Sequence, residues 1–132
     1  MSDVSFDEIV DKAVSAGTTA AVGRKIEKTQ VNKIISIFDS VSDAVKGVVL
    51  TMSFIMRQSS DRELIDRETA RVLIGHLSDF LDKYREDKTE LRRVVREYLG
   101  LFKWFYEAAS GRRVSRRCNS FKEFVEAFLS SR

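Results

Sequence analysis

Apolar residues recur along most of this chain at intervals of three and four, the spacing of one face of an α-helix. The clearest run is Val31, Ile34, Ile35, Phe38, Val41, Val45, Val48, Val49, Met52, Ile55 and Met56. It predicts one long helix over about Thr29 to Arg57 with those side chains turned inward. A second run, Ile65, Ala70, Leu73, Leu77, Phe80, Leu81 and Tyr84, has Asp and Arg at the positions between, so its outer face is a solvated charge mosaic. The segment from about Lys88 to Ser110 is apolar around much of its circumference, with Leu91, Val94, Val95, Tyr98, Leu99, Leu101, Phe102, Trp104, Phe105 and Tyr106. Such a helix is central or buries a second interface. After a break at Gly111, Phe121 to Leu129 sets Phe121, Phe124, Val125, Phe128 and Leu129 on one face. At the other end, about Phe6 to Ser15 forms a short, weakly apolar helix that needs tertiary support to persist.

Helix starts are marked by capping boxes, in which a Ser, Thr or Asp side chain takes one orphan amide and a Glu three residues later takes another. Ser5 to Glu8, Ser60 to Glu63, Asp87 to Glu90 and Ser120 to Glu123 each precede a periodic run. The chain has no proline and only six glycines, so it lacks the punctuation of tight strand turns and flexible linkers. The expected fold is all-α, a single-domain bundle of about five largely antiparallel helices over residues 1–132. Residues 1–23 supply the short first helix and a loop, 24–110 a three-helix core, and 111–132 a basic loop and C-terminal helix.

Composition narrows the chemistry. The longest apolar stretch, Val48 to Met56, is interrupted by Thr51 and Ser53 and is far shorter than a bilayer span. Acids near the N-terminus replace the basic region of a signal peptide, and one cysteine, Cys118, permits no internal disulfide. A soluble, cytoplasmic protein is expected, away from membranes. A single histidine, His76, and that single cysteine furnish neither a zinc site nor a set of nucleophile, base and orienter, and no glycine-rich phosphate loop is present. No cofactor, metal or catalytic residue is expected. The acids Asp61, Glu63, Asp66 and Glu68 alternate with Arg62 and Arg67 and read as caps and surface ion pairs.

Charge is unevenly spread: residues 1–84 carry 11 Lys/Arg against 13 Asp/Glu, and residues 85–132 carry 12 against 7. A C-terminal basic excess favours a polyanionic partner. Arg112, Arg113, Arg116 and Arg117 form RRVSRR in the last loop, where guanidinium forks suit phosphate oxygens without base preference. Arg92, Arg96 and Lys103 form a stripe along the preceding helix with Gly100 between them. Arg24, Lys25 and Lys28, extended by Lys33, form a third basic element. Trp104 and Tyr106 have the chemistry to stack on bases, but the apolar run around them favours packing in the core or against a neighbouring subunit.

The order of these motifs resembles the small helical subunit of type III CRISPR effector complexes, in its Csm-type branch. KTQVNKIISIFDSV at Lys28 to Val41 is similar to that family's early Thr-x-x-basic-hydrophobic segment and long apolar helix. EYLGLFKWFYEAAS at Glu97 to Ser110 is similar to its late basic-then-aromatic helix. The resemblance covers about residues 25–110, and residues 111–132 extend beyond it. It implies a non-catalytic subunit that contacts RNA within a ribonucleoprotein used in antiviral defence, with Lys28, Lys33, Arg92 and Arg96 as contacts. Composition alone fits two other readings: a coat protein of a filamentous archaeal virus wrapping duplex DNA, or a helical protein-interaction module docking other subunits or copies of itself.

Overall fold

The computed structural model describes residues 4–130, apart from Arg113 and the side chain of Arg112. The described residues form an all-α bundle of six helices: α1 (Phe6–Gly23), α2 (Lys28–Asp39), α3 (Ala44–Ser60), α4 (Arg67–Tyr84), α5 (Lys88–Arg112) and α6 (Phe121–Ser130).

Six helices replace five because the long apolar run is two helices. α2 stops at Asp39, and Asp43 starts α3 by accepting the Lys46 amide on its side chain at 3.0 Å. The residues between reverse the chain, so α3 folds back on α2. Near the open end of this hairpin the Gln58 amide donates to the Gln30 side chain at 2.9 Å in a buried setting. The reversal also resets the face. α3 buries Ala44, Gly47, Val48, Thr51, Ile55 and Gln58, whereas Val49 and Met56, expected inside, are exposed.

Two further expectations are corrected. Ser60 does not open a helix; its hydroxyl donates back to the Met56 carbonyl at 2.8 Å and completes α3. α4 begins instead at Asp66, whose carboxylate takes the Thr69 amide at 3.1 Å and the Thr69 hydroxyl at 2.7 Å. The first helix does not end at Ser15 but runs to Gly23, with Ala16, Gly17, Thr18, Thr19, Ala20 and Ala21 all buried. The other three caps form as expected, on Ser5, Asp87 and Ser120.

The first five helices alternate in direction, up, down, up, down, up. Lys12 meets Asp79 and Val4 meets Tyr84 across α1 and α4, whereas Lys28 meets Glu107 and Asp39 meets Arg96 across α2 and α5. α1 and α5, the most extensively contacting pair, therefore run parallel. They approach closely because Gly17 has no side chain: a Cβ there would lie 2.8 Å from Phe105 Cβ and 2.9 Å from the Tyr106 nitrogen. Around this pair Ile9, Ile34, Phe38, Leu73, Phe80, Tyr98 and Phe102 are fully buried, each contributing about 1.5–3 kcal/mol of apolar transfer. α6 closes a smaller cluster with Val10, Val14, Ala109, Val114, Cys118 and Phe124.

Candidate nucleic-acid interface

Alternation of the helices has a direct consequence for charge. The connectors after α1, α3 and α5 all emerge at one end of the bundle, and those after α2 and α4 at the other. The first set carries Arg24, Lys25, Arg62, Arg116 and Arg117 together with Glu27, Asp61, Glu63 and Asp66. The second carries Asp43, Glu86 and Asp87 against Arg85 alone. The two ends of the bundle thus differ in sign.

The α5–α6 loop is held firmly at the basic end. Thr18 on α1 accepts the Cys118 amide at 2.9 Å while donating its own proton to the Val14 carbonyl at 2.9 Å, and the Val114 amide bonds the Ala109 carbonyl at 2.9 Å. Val114 and Cys118 are buried beneath the loop, and burial pushes the Cys118 thiol above its ordinary pKa. Arg116 and Arg117 stand outside. Arg117 reaches Glu68 at 2.8 Å and Thr19 at 3.3 Å, and Arg116 lies 4.0 Å from Glu123. The Arg112 side chain and Arg113 lie outside the described residues.

Beside this loop, Ala21, Arg24, Ile26, Tyr106, Ala109, Ser110 and Val114 line a cavity of about 460 Å³. Arg24 and Ser110 are exposed, so it opens to solvent. Tyr106 forms part of its wall, donating its hydroxyl to the Ile26 carbonyl at 2.9 Å; partial burial raises the phenol pKa. Arg24 ends α1 in the left-handed region, φ 56°, with its amide on the Ala20 carbonyl. Glycine is the usual occupant of such a cap, and a side chain there costs on the order of 1 kcal/mol. Lys25 follows, exposed, and Lys28 pairs with Glu107 at 3.0 Å.

The stripe on α5 faces α2 and is largely engaged there. The Arg92 guanidinium donates to the Val41 and Ser42 carbonyls at 2.6 and 2.7 Å and lies 5.1 Å from the Phe38 ring centroid. It fastens the α2–α3 reversal, so we expect Arg92→Ala to cost about 1–3 kcal/mol in urea unfolding while leaving nucleic-acid affinity unchanged. Arg96 pairs with Asp39 at 2.9 Å. Lys103 is half-buried on the same stripe, Lys33 is exposed on α2, and the space beside Gly100 is open. The stripe therefore bridges two helices, and it is Arg24 that lines one cavity with Val114 of the Arg116–Arg117 loop.

A second surface is apolar. Trp104 is 68% exposed and Leu129 74%, and they flank a groove of about 290 Å³ between α5 and α6 lined also by Phe105, Phe121, Phe124 and Phe128. Among the described residues no group of His, Cys, Asp and Glu is arranged to hold a metal ion, and no helix is long and apolar enough to cross a membrane. No protein-family model, curated protein or solved structure matches the chain.

Proposed function

We propose that this chain is a non-catalytic cytoplasmic subunit that holds a nucleic-acid backbone, RNA in the first instance, on the basic end of its bundle. The observation that supports this reading is that Arg24 shares one cavity with Val114, about ninety residues away in the loop that carries Arg116 and Arg117, while Lys25 and Lys28 follow Arg24 at the same end of the bundle. Their carboxylate partners do not oppose it. The Arg117–Glu68 side chains are each 45% exposed and Lys28 is 67% exposed, and exposed ion pairs are worth roughly 0–1 kcal/mol, so a phosphate exchanges for a carboxylate at small cost. The resemblance to the small helical subunit of type III CRISPR complexes supports the same reading and suggests RNA as the partner.

The test is fluorescence-anisotropy binding of single-stranded RNA, single-stranded DNA and duplex DNA across a salt series. With four of these five cations engaged, the single-strand slope is about −3 in log K against log salt, roughly a fifty-fold loss between 50 and 200 mM. Flat salt dependence, or no binding, sinks the reading; a preference for duplex DNA favours a coat protein instead. Arg24→Gly separates function from folding. It removes a cation and relieves a left-handed side chain, so the melting temperature is expected to rise by a few degrees. Affinity for every strand should fall about three- to ten-fold with a shallower salt slope.

The exposed Trp104 and Leu129 beside an apolar groove favour a second reading, a helical protein-interaction module. Pull-down of a partner that survives high salt and is lost in Trp104→Ser supports it; retention by that variant argues against it.

A further inference from the structure

We infer that the cavity between the C-terminal turns of α1 and α5 receives one unstacked base of a nucleotide whose phosphate lies on Arg24 and Lys25. This inference rests on the backbone-binding reading and adds the state of the strand it takes: single, with a base turned out.

The cavity's composition carries the argument. Ala21, Ile26, Ala109, Val114 and Tyr106 supply apolar patches for the face of a flat ring, within a lining that is otherwise more polar than apolar and so suits the hydrogen-bonding edge of a base. Its two exposed lining residues are polar, Arg24 and Ser110, and so stand where a base edge and its phosphate leave the pocket for solvent. Its volume of about 460 Å³ falls within the usual range for small-ligand sites.

Charge is ordered in the same direction. The carboxylates that influence the site, Glu27 and Glu107, act at the Tyr106 hydroxyl, and Glu107 is neutralised by Lys28 at 3.0 Å. Arg24 supplies positive charge at the mouth, and Lys25, exposed, follows it in the chain. Arg24 is also held in a strained backbone conformation that a glycine would relieve, and side chains kept in such positions cluster at ligand sites. A base inside a duplex reaches the pocket only after unpairing and unstacking, so the geometry discriminates strands without reading sequence.

The experiment compares the full chain's affinity for four probes: a labelled twelve-nucleotide oligouridine, the same-length backbone of abasic sites, an RNA duplex, and free uridine monophosphate as competitor. One stacked base is worth roughly 5- to 150-fold in affinity, so oligouridine should exceed both the abasic strand and the duplex by at least about five-fold. Ser110→Trp, which fills the mouth of the pocket, should reduce that preference to parity, the abasic strand serving as the reference for each protein. Salt-sensitive binding of equal strength to the abasic strand, oligouridine and duplex overturns the pocket while sparing the backbone reading. Absence of binding to every strand overturns both. Strong competition by uridine monophosphate with no gain from the longer strand assigns the pocket to a free nucleotide and overturns the strand assignment. If Ser110→Trp keeps the full preference, the base sits elsewhere and the inference fails.

Discussion

Gly17→Ala should lower the stability of this protein, although alanine is ordinarily the better helix former by about 1 kcal/mol. The reason is the contact between α1 and α5. The added Cβ would meet Phe105 Cβ at 2.8 Å, the Tyr106 nitrogen at 2.9 Å and the Phe105 carbonyl carbon at 3.1 Å. Backbone atoms cannot rotate away as the tip of a flexible side chain can, so the two central helices must separate. Overpacking of this kind typically costs about 1–3 kcal/mol, and more for Gly17→Val, for which we expect loss of the cooperative transition. Gly75, on α4, is the matched control: it is exposed and nothing lies within 4 Å of its would-be Cβ. Gly75→Ala should therefore stabilise by up to about 1 kcal/mol. Thermal melts followed by circular dichroism check both, at roughly 3–5 °C per kcal/mol for a domain of this size. A Gly17→Ala protein melting at or above the Gly75→Ala protein would mean that the helices are not locked at this crossing.

That crossing also explains what the sequence conceals. The C-terminal half of α1 reads Ser15-Ala-Gly-Thr-Thr-Ala-Ala-Val-Gly23, without a large apolar side chain at helical spacing to announce a buried face. Ala16, Gly17, Thr18, Thr19, Ala20 and Ala21 are nevertheless buried, because small residues permit close approach and large ones on α5 fill the space. Hydrophobic periodicity measures side-chain size as much as burial, so it finds α5 and loses half of α1. The split between α2 and α3 fails for a related reason. The apolar spacing continues across Val41 and Val45 as though one helix ran through, and the stop is written in Ser40, Ser42 and Asp43, which form a weaker signal than proline or glycine. Caps were the more dependable marker, yet Ser60 and Asp66 show their limit. Two capping-competent residues stood six apart, and the choice fell to the one whose carboxylate captures both the amide and the hydroxyl of Thr69.

The candidate interface was legible as residue types, less so as an arrangement. RRVSRR and the Arg24 to Lys28 group stand out in the sequence, but their proximity follows from the even number of reversals between them, and that number depends on the α2–α3 split. With one helix fewer, the two basic segments would emerge at opposite ends. Arg92 shows the converse. Its place on a stripe with Arg96 and Lys103 is legible in the sequence, and its hold on the Val41 and Ser42 carbonyls is not. The left-handed conformation of Arg24 carries no sequence signal beyond its position after Gly23.

Acid should destabilise the protein through His76 over a window that lies above the range of its carboxylates. The imidazole is packed between α4 and α5, with Nδ1 2.8 Å from the Tyr98 hydroxyl and its ring edge-on to the Tyr98 ring, centroids 5.5 Å apart. With the Tyr98 hydroxyl assigned as donor, which spares its proton burial without an acceptor, Nδ1 is unprotonated and the ring proton sits on Nε2. Burial, with the nearby Lys12 ammonium adding to it and Asp79 opposing, lowers the His76 pKa from 6.5 to about 4. The unfolded chain therefore binds this proton first. Its contribution to stability is intact above about pH 6.5, declines as pH falls through the interval to about 4, and levels off below, with a total on the order of 3 kcal/mol. His76→Gln retains an acceptor for the Tyr98 hydroxyl but does not titrate. Urea midpoints measured between pH 7.5 and 4 should fall more steeply for the native chain than for this variant, by nearly one proton's worth of slope near pH 5. Asp43 is also held below its ordinary pKa, by the Lys46 amide and by Lys88, and loses that stabilisation at lower pH in both proteins. Parallel curves for the two proteins would mean that His76 takes up its proton in the folded chain as readily as in water, and that the packing of α4 against α5 opens to admit it.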